Sequence, residues 1–426
     1  MSTLRSVKGM HDILPDDAAR WHLVEDTYRR LVERYGYREI RTPILEKLEL
    51  FVRGIGEATD IVEKEMYAFE DKGGDRLALR PEGTASVIRA YVQHNLQAAS
   101  PQHKVYYLGP MFRRERPAKG RYRQFYQAGA ELIGVPEPAA DAEMIQMAVE
   151  LVVALGIEGV AVQLNSLGDE ETRPAYREAL VGHFAKARDG LCADCRRRLQ
   201  TNPLRILDCK VESCREIAAG APSVLDHLSD GARAHFEEVK RLLERAGVAH
   251  RVEPRMVRGL DYYTRTIFEI QGDAGALGAQ ATLVGGGRYD GLVAELGGRP
   301  TPSIGFSFGI ERLLMVLGDA VAPPDRRTVY AAGIGAGGLD RAHAVARELR
   351  AAGMRVEASF REASLRSQLK RADKIGARVV VIAGEEEAAR DAVTVRTMDD
   401  GEQREVAREA LVAELEPFAA DREASR

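Results

Sequence analysis

Between Arg113 and Arg123 the chain places six basic residues against one acidic residue, although the whole protein carries a formal net charge of −4. The segment is FRRERPAKGRYRQFYQAGAELIG (112–134), a basic loop between two stretches of alternating aromatic and aliphatic residues. Alternation of that kind reads as strand, so Arg113 falls at the end of a strand, where a rigid backbone lets a guanidinium grip a phosphate or carboxylate in bidentate fashion. The basic tip beyond it, with Arg116, Lys119 and Arg121, suits a polyanion. Taken alone, such a loop reads equally well as a solvated connection. Two further arginines lie in glycine-containing segments: Arg258 in MVRGLDYYTRTIFE (256–269) and Arg312 in GFSFGIERL (305–313). Alone, Arg258 would more commonly be a surface or salt-bridged arginine. Fixed cations are what a reaction between two anions requires, because charge developing at phosphorus must be stabilised without reorganisation.

These segments together resemble the class II aminoacyl-tRNA synthetases. FRRERPAKGRYRQF is similar to their motif 2 and, in its wording, to the histidyl family; RTPILE (41–46) with Pro43 resembles motif 1, and GFSFGIERL resembles motif 3. LRPEGT (79–84), RGLDYYTRT and GGGRYDGL (285–292) resemble segments of the histidyl family in particular. The resemblance covers essentially the whole chain. It implies an enzyme that activates histidine with ATP to histidyl-adenylate, releases pyrophosphate, and transfers histidine to the 3′ end of tRNA(His). By resemblance Arg113 holds the α-phosphate and the carboxylate, Arg312 the γ-phosphate, and Arg258 is an additional catalytic arginine. The family's α-amino contact falls on Glu82, Thr84 and Gln127, with Gly83 between the first two, and its imidazole contact on Glu131 and Tyr263, with Tyr262 adjacent. An unmatched buried polar group rejects wrong amino acids better than shape does, and a glutamate with a tyrosine hydroxyl can serve both ring nitrogens. If Tyr262 and Tyr263 lie in a strand, one of them faces away from the pocket. Glycines 285–287 would let backbone approach the amino acid closely.

The resemblance further implies ATP as substrate, Mg2+ bridging its phosphates, no tightly bound cofactor, and a homodimer formed through motif 1. Arg116, Lys119 and Arg121 would enter the acceptor stem of tRNA. Ala118 stands where a glutamine is common, which puts a side-chain base contact at 118 in doubt. Two rivals are a histidine-binding regulatory subunit of ATP phosphoribosyltransferase and a class II synthetase for another amino acid. The retained arginines and the long C-terminal segment oppose the first, RGLDYY and Glu131 the second.

Four cysteines, Cys192, Cys195, Cys209 and Cys214, follow the order C-x2-C-x13-C-x4-C. They could give four thiolates to one tetrahedral zinc, but cytosolic thiols often stay free and the implied chemistry needs no zinc, so no metal is assigned. Four cysteines within 23 positions exclude a disulfide framework for the whole fold.

Positioning these groups takes several elements. Apolar residues at 45% and charged residues at 30% are ordinary for a globular protein, and 426 residues suit two or three domains. The start has no basic patch followed by an apolar run, and no membrane-length apolar stretch occurs, so the reading is a soluble, cytoplasmic protein. Trp21, Val24, Tyr28, Leu31 and Tyr35 recur at helical spacing over 17–35, with Asp16 or Asp17 placed to cap. REIRTPILE (38–46) reads as a strand broken by Pro43, and KGGD (72–75) as a hairpin tip. RTIFEI, ATLVGGGRYDGL and SIGFSFGIERLLMVL supply more strands, the last turning into a helix. The expected fold is α+β: a mainly antiparallel sheet of six or seven strands flanked by helices in a catalytic domain, 1–325, with a helical insertion over about 169–253. VAPPDRR (321–327) reads as a linker. Alternating strands and helices over 326–426 predict an α/β domain, by resemblance the anticodon-binding one, with Arg366, Lys370, Arg371 and Lys374 on one helix.

Overall fold

The computed structural model describes residues 3–56, 59–272, 282–318 and 328–418. The expected linker 321–327 lies outside them. Backbone contacts divide the chain into two compact units, Met1–Val321 and Ala322–Arg426.

The first unit is built on an eight-stranded sheet. In chain order its strands are β1 (Arg38–Glu39), β5 (His103–Phe112), β6 (Gln124–Ile133), β7 (Ala161–Ser166), β8 (His250–Val252), β9 (Thr264–Gln271), β10 (Thr282–Arg288) and β11 (Ser303–Gly309). Between the first two come β2 (Leu45–Lys47), β3 (Tyr67–Glu70) and β4 (Arg76–Leu79), which form a separate small sheet. The large sheet has the order β1-β5-β6-β11-β10-β9-β7-β8, antiparallel except for parallel pairs at its two edges. It has two strands more than the lower sequence expectation: β7 and β8 are short and flank the insertion, so neither shows a long alternating pattern.

Alternation across the sheet separates core from site. Ala128, Ala130 and Leu132 of β6, Phe306 and Phe308 of β11, Val284 of β10, and Phe268 and Ile270 of β9 all enter one core. The helices Pro15–Arg34, Pro138–Ala154, Asp230–Arg245 and Ile310–Leu317 contribute side chains to that core. The intervening residues Gln127, Glu131, Gly305, Ser307, Gly285 and Glu269 therefore share the opposite face.

The first helix starts at Pro15 with Leu14 as N-cap, so Asp16 and Asp17 do not cap it. Proline at the first helical position is already set in φ and needs no N–H partner, and the two aspartates favour the helix dipole from the first turn. Pro43 falls between β1 and β2, which belong to different sheets, so 38–46 is two short strands and not one.

The segment expected as one insertion divides. Helices Thr172–Lys186, Ala193–Thr201 and Glu212–Ala219 surround a small core of their own that includes Tyr176, Leu180, Phe184 and three cysteines. Helix Asp230–Arg245 instead packs Phe236, Val239 and Leu243 into the main core, and β8 joins the main sheet.

The second unit is a five-stranded sheet of β12 (Thr328–Gly333), β13 (Arg355–Ala358), β14 (Ala377–Ala383), β15 (Ala392–Thr397) and β16 (Gln403–Ala407), in the order β13-β12-β14-β15-β16. Its first three strands are parallel and the hairpin is antiparallel. Helix Leu365–Lys374 buries Gln368 against Gly333, and Arg366, Lys370, Arg371 and Lys374 stand exposed.

Candidate active site

A cavity of about 790 Å³ opens on the site face of the large sheet and brings together Arg113, Arg258 and Arg312. Its wall also includes Glu82, Gln127, Tyr262, Tyr263 and Glu269. Each arginine is held by a different element. Arg113, just past β5, donates from Nε to the Pro81 carbonyl at 2.9 Å and lies over the Phe125 ring at 5.1 Å. Arg312, in the first turn after β11, donates to the Thr282 carbonyl at 2.8 Å. Burial, and then Arg121 alongside, pull its guanidinium below the ordinary arginine range.

Arg258 is paired with the Glu269 carboxylate of β9, and its guanidinium sits 5.8 Å from the Tyr263 ring centroid. Burial works against its charge, but Glu269 overcomes this and holds the group above its usual range. Its buried Nε–H has no hydrogen-bond partner among the described residues, a donor in want of an acceptor. Space for this guanidinium comes from Gly285: a Cβ there would lie 2.3 Å from Arg258 Nη2. The close approach permitted at Gly285 is thus used by an arginine. Gly286 similarly makes room for the Gly305 carbonyl and the Phe268 ring of the sheet itself.

Elsewhere on the cavity wall the polar groups are mutually satisfied. Glu82 is buried, and its two carboxylate oxygens accept the Thr84 and Ala85 amides at 2.7 and 2.8 Å, closing the first turn of helix Thr84–Gln93. A cap of this kind contributes about 1 kcal/mol. Gln127 Oε1 accepts from the Gly83 amide at 3.1 Å, and its Nε2 donates to Ser307 Oγ at 3.1 Å. Gly83 is required sterically, since a Cβ would meet the Tyr107 ring at 2.2 Å.

Glu131 lies one side-chain layer behind the wall, at 1% exposure. It accepts from Thr84 Oγ1 at 2.7 Å and from the Tyr289 hydroxyl. Burial pushes its carboxyl up to about 8, against the lowering effect of those two hydrogen bonds. Directly opposite in register on β11 is Gly305, where a Cβ would fall 1.7 Å from Glu131 Oε2.

Tyr262 and Tyr263 both line the cavity, with ring centroids 4.7 Å apart. One was expected to face away, but they lie in the turn ahead of β9, where strand alternation does not yet apply. Tyr289, Glu269 and Arg205 were not singled out from sequence. Arg205, in the insertion, donates to Asp261 Oδ1 at 2.9 and 2.6 Å and to the Arg258 carbonyl at 2.6 Å, tying down the turn that carries the tyrosines. Arg288, next to Tyr289, is fully buried and pairs with the fully buried Asp141 at 2.5 Å, with His235 on the other carboxylate oxygen at 3.1 Å. Only the glycines beside it had drawn notice in the sequence, because nothing in a glycine-rich segment signals a buried ion pair.

The basic loop leaves β5 and returns through a tight turn in which Ala118 and Arg121 exchange backbone hydrogen bonds. Arg116, Lys119 and Arg121 are exposed; Arg121 pairs with Glu115 at 3.3 Å and lines the cavity, whereas Arg116 and Lys119 do not.

Residues 9–313 match the family model described as histidyl-tRNA synthetase, and 327–417 match the anticodon binding domain model. The chain belongs to the histidyl-tRNA synthetase family. Among curated members, the histidine–tRNA ligase of Geobacter sulfurreducens is 50% identical over 405 residues, covering 95% of this chain and 97% of that one. The histidine–tRNA ligase of Geobacillus thermodenitrificans is 50% identical over 403 residues, covering 94% and 95%. The crystal structure of apo histidyl-tRNA synthetase from S. aureus aligns with a TM-score of 0.82 at 36% identity, covering 98% of this chain and 100% of that one. The α+β catalytic sheet and the C-terminal α/β unit are thus those of a histidyl-tRNA synthetase, a family whose reaction uses ATP. Among the described residues no helix is long and apolar enough to cross a membrane.

Proposed function

We propose that this chain activates histidine with ATP in the 790 Å³ cavity and passes the histidyl group to the 3′ end of tRNA(His). The observation that carries the reading is one cavity whose wall holds three arginines together with Glu82, Gln127 and Tyr263, backed by a buried Glu131–Thr84–Tyr289 cluster. Arg113 orients the α-phosphate and the histidine carboxylate; Arg312, from the first turn of helix Ile310–Leu317, takes the γ-phosphate. Arg258 supports charge developing on the α-phosphate through its spare Nε–H. The carboxylate of free histidine is already ionised at neutral pH, so activation needs no general base.

Glu82 and Gln127 on the wall receive the α-ammonium. The Thr84 hydroxyl is turned to Glu131, so its part in recognition is to orient that carboxylate. Tyr263 meets the imidazole at the wall, and Glu131 accepts a ring N–H once the tyrosine side chain yields. Mg2+ fits as a companion of the triphosphate: Glu115, Glu269 and Glu311 offer oxygen donors, but each is already engaged with an arginine or a backbone amide. Bound there, it would neutralise phosphate charge.

Arg116, Lys119 and Arg121 contact the acceptor stem, and the exposed cations of helix Leu365–Lys374 suit tRNA phosphates. A homodimer is supported by Ile44, Leu45 and Phe69, exposed apolar residues gathered on and beside the small sheet. The site of action is the cytoplasm, where tRNA charging takes place. Histidine-dependent exchange of labelled pyrophosphate into ATP tests the reading. Exchange with histidine supports it; histidine binding without exchange means a regulatory protein, and exchange with another amino acid reassigns the specificity.

A further inference from the structure

The insertion gathers all four cysteines of the chain at one point. Cys192 is the N-cap of helix Ala193–Thr201, Cys195 lies in its first turn, Cys209 follows the turn Pro203–Ile206, and Cys214 lies in helix Glu212–Ala219. The four sulfurs lie within 4.8 Å of one another, with Cys192 Sγ 3.9 Å from Cys209 Sγ, and none is in a disulfide. A tetrahedral zinc with Zn–S bonds of about 2.3 Å holds its sulfurs about 3.8 Å apart, so the cluster needs only slight contraction around an ion.

Backbone amides reach two of the sulfurs. The Cys192 amide points at Cys214 Sγ at 3.2 Å and the Cys195 amide at Cys192 Sγ at 3.5 Å. Backbone amides directed at sulfur stabilise its anionic form, and the N-terminus of helix Ala193–Thr201 adds its positive end. Three of the cysteines are buried in the insertion's own core, among Leu180, Phe184, Leu191 and Ile206, where an ion would be shielded from solvent.

We infer that Cys192, Cys195, Cys209 and Cys214 bind one zinc ion as a structural tetrathiolate site, and that this site braces the active-site turn. The elements joined at the sulfurs also carry the contacts to the catalytic unit. Asn202 and Arg205, between Cys195 and Cys209, hold Asp261 and the Arg258 carbonyl. Arg198 reaches Asp60 at 3.0 Å, and Lys64 reaches Asp194 at 3.0 Å. Loss of the ion would free the segment 196–208 that presents Arg205, while leaving every group that lines the ATP side of the cavity chemically intact. The inference stands on the cysteine cluster and not on the assignment of the substrate.

Full-length protein purified under reducing conditions without chelator is assayed for total metal. The expected result is about one zinc per chain, lost in Cys195→Ser/Cys214→Ser. Cobalt in place of zinc should give the intense visible absorption of a tetrahedral thiolate site. Limited proteolysis after chelation should cut first within 196–208. Zinc below about a tenth of an equivalent with four freely titrating thiols in native protein overturns the inference, as does iron in the site or a pair of disulfides. Should the double variant fail to fold, metal content and the cobalt spectrum of the unaltered chain decide alone.

Discussion

Replacing Glu131 with glutamine separates what this carboxyl does for histidine from what it costs the fold. Burial raises it from 4.5 to about 8. Below about pH 4.5 it is protonated in both folded and unfolded chains and contributes no pH dependence. Between there and about pH 8 the unfolded chain releases the proton and the folded chain keeps it, so the folded state loses stability as pH rises. At 1.36 kcal/mol per unit, the interval from pH 5 to pH 8 is a penalty of about 4 kcal/mol as a ceiling. Glu131→Gln has nearly the same shape and no ionisation, so the difference between variant and parent, taken at both pH values, isolates this group. Thermal unfolding should show the variant gaining on the parent by up to roughly 6 °C between pH 5 and pH 8, for a unit of this length. In pyrophosphate exchange below pH 8 the same variant should raise KM for histidine roughly 2- to 10-fold, the value of a hydrogen bond between neutral groups, and leave KM for ATP unchanged. A variant whose Tm difference is the same at both pH values, with histidine KM unmoved, would refute both the buried-carboxyl argument and the assignment of Glu131 to the imidazole.

Other expectations are independent of that one. Arg258→Ala should lower the adenylation rate by 10²-fold or more while histidine binding, measured by calorimetry, changes by only a few-fold; equal losses would remove its catalytic role. Asp141→Ala leaves Arg288 buried with only the Asp290 carboxylate, at 3.3 Å, and should destabilise the catalytic unit by up to about 3–5 kcal/mol in denaturant unfolding, against near neutrality if the pair were solvated. Arg116→Ala with Lys119→Ala should weaken tRNA binding and reduce the slope of log K against log salt by about two, with pyrophosphate exchange untouched. Ile44→Glu with Leu45→Glu should shift the protein to monomer in light scattering; an unchanged mass would place any dimer contact elsewhere.

Charge and glycine made much of the site legible in the sequence. Six cations in eleven residues, a strand end at Arg113 and a strand-to-helix junction at Arg312 are local features, and the structure gathers those arginines around one cavity. What local pattern cannot carry is partnership across the sheet. Tyr289 was passed over because its partner Glu131 is 158 positions away, and Arg205 because its target turn lies 53 residues on. The alternation weighed for Tyr262 and Tyr263 does not apply, because β9 starts only at Thr264. β7 and β8 escaped notice because much of the chain between them folds a core of its own, and two short strands in parallel offer little alternation.

Gly305 carries a consequence for engineering. Its φ is unremarkable for any residue, so its role is volumetric: the missing side chain on β11 is the space that the Glu131 carboxylate fills from β6. The two neighbouring strands are therefore fitted to each other at this point as a matched pair of sizes. A redesign that shortens residue 131 to admit a different substrate opens a void that position 305 cannot fill, because a Cβ there still meets the Ala130 carbonyl at 2.7 Å. Libraries aimed at new specificity should vary residue 131 with glycine kept at 305, and seek the compensating volume in the side chains that touch Glu131, those of Thr84 and Tyr289.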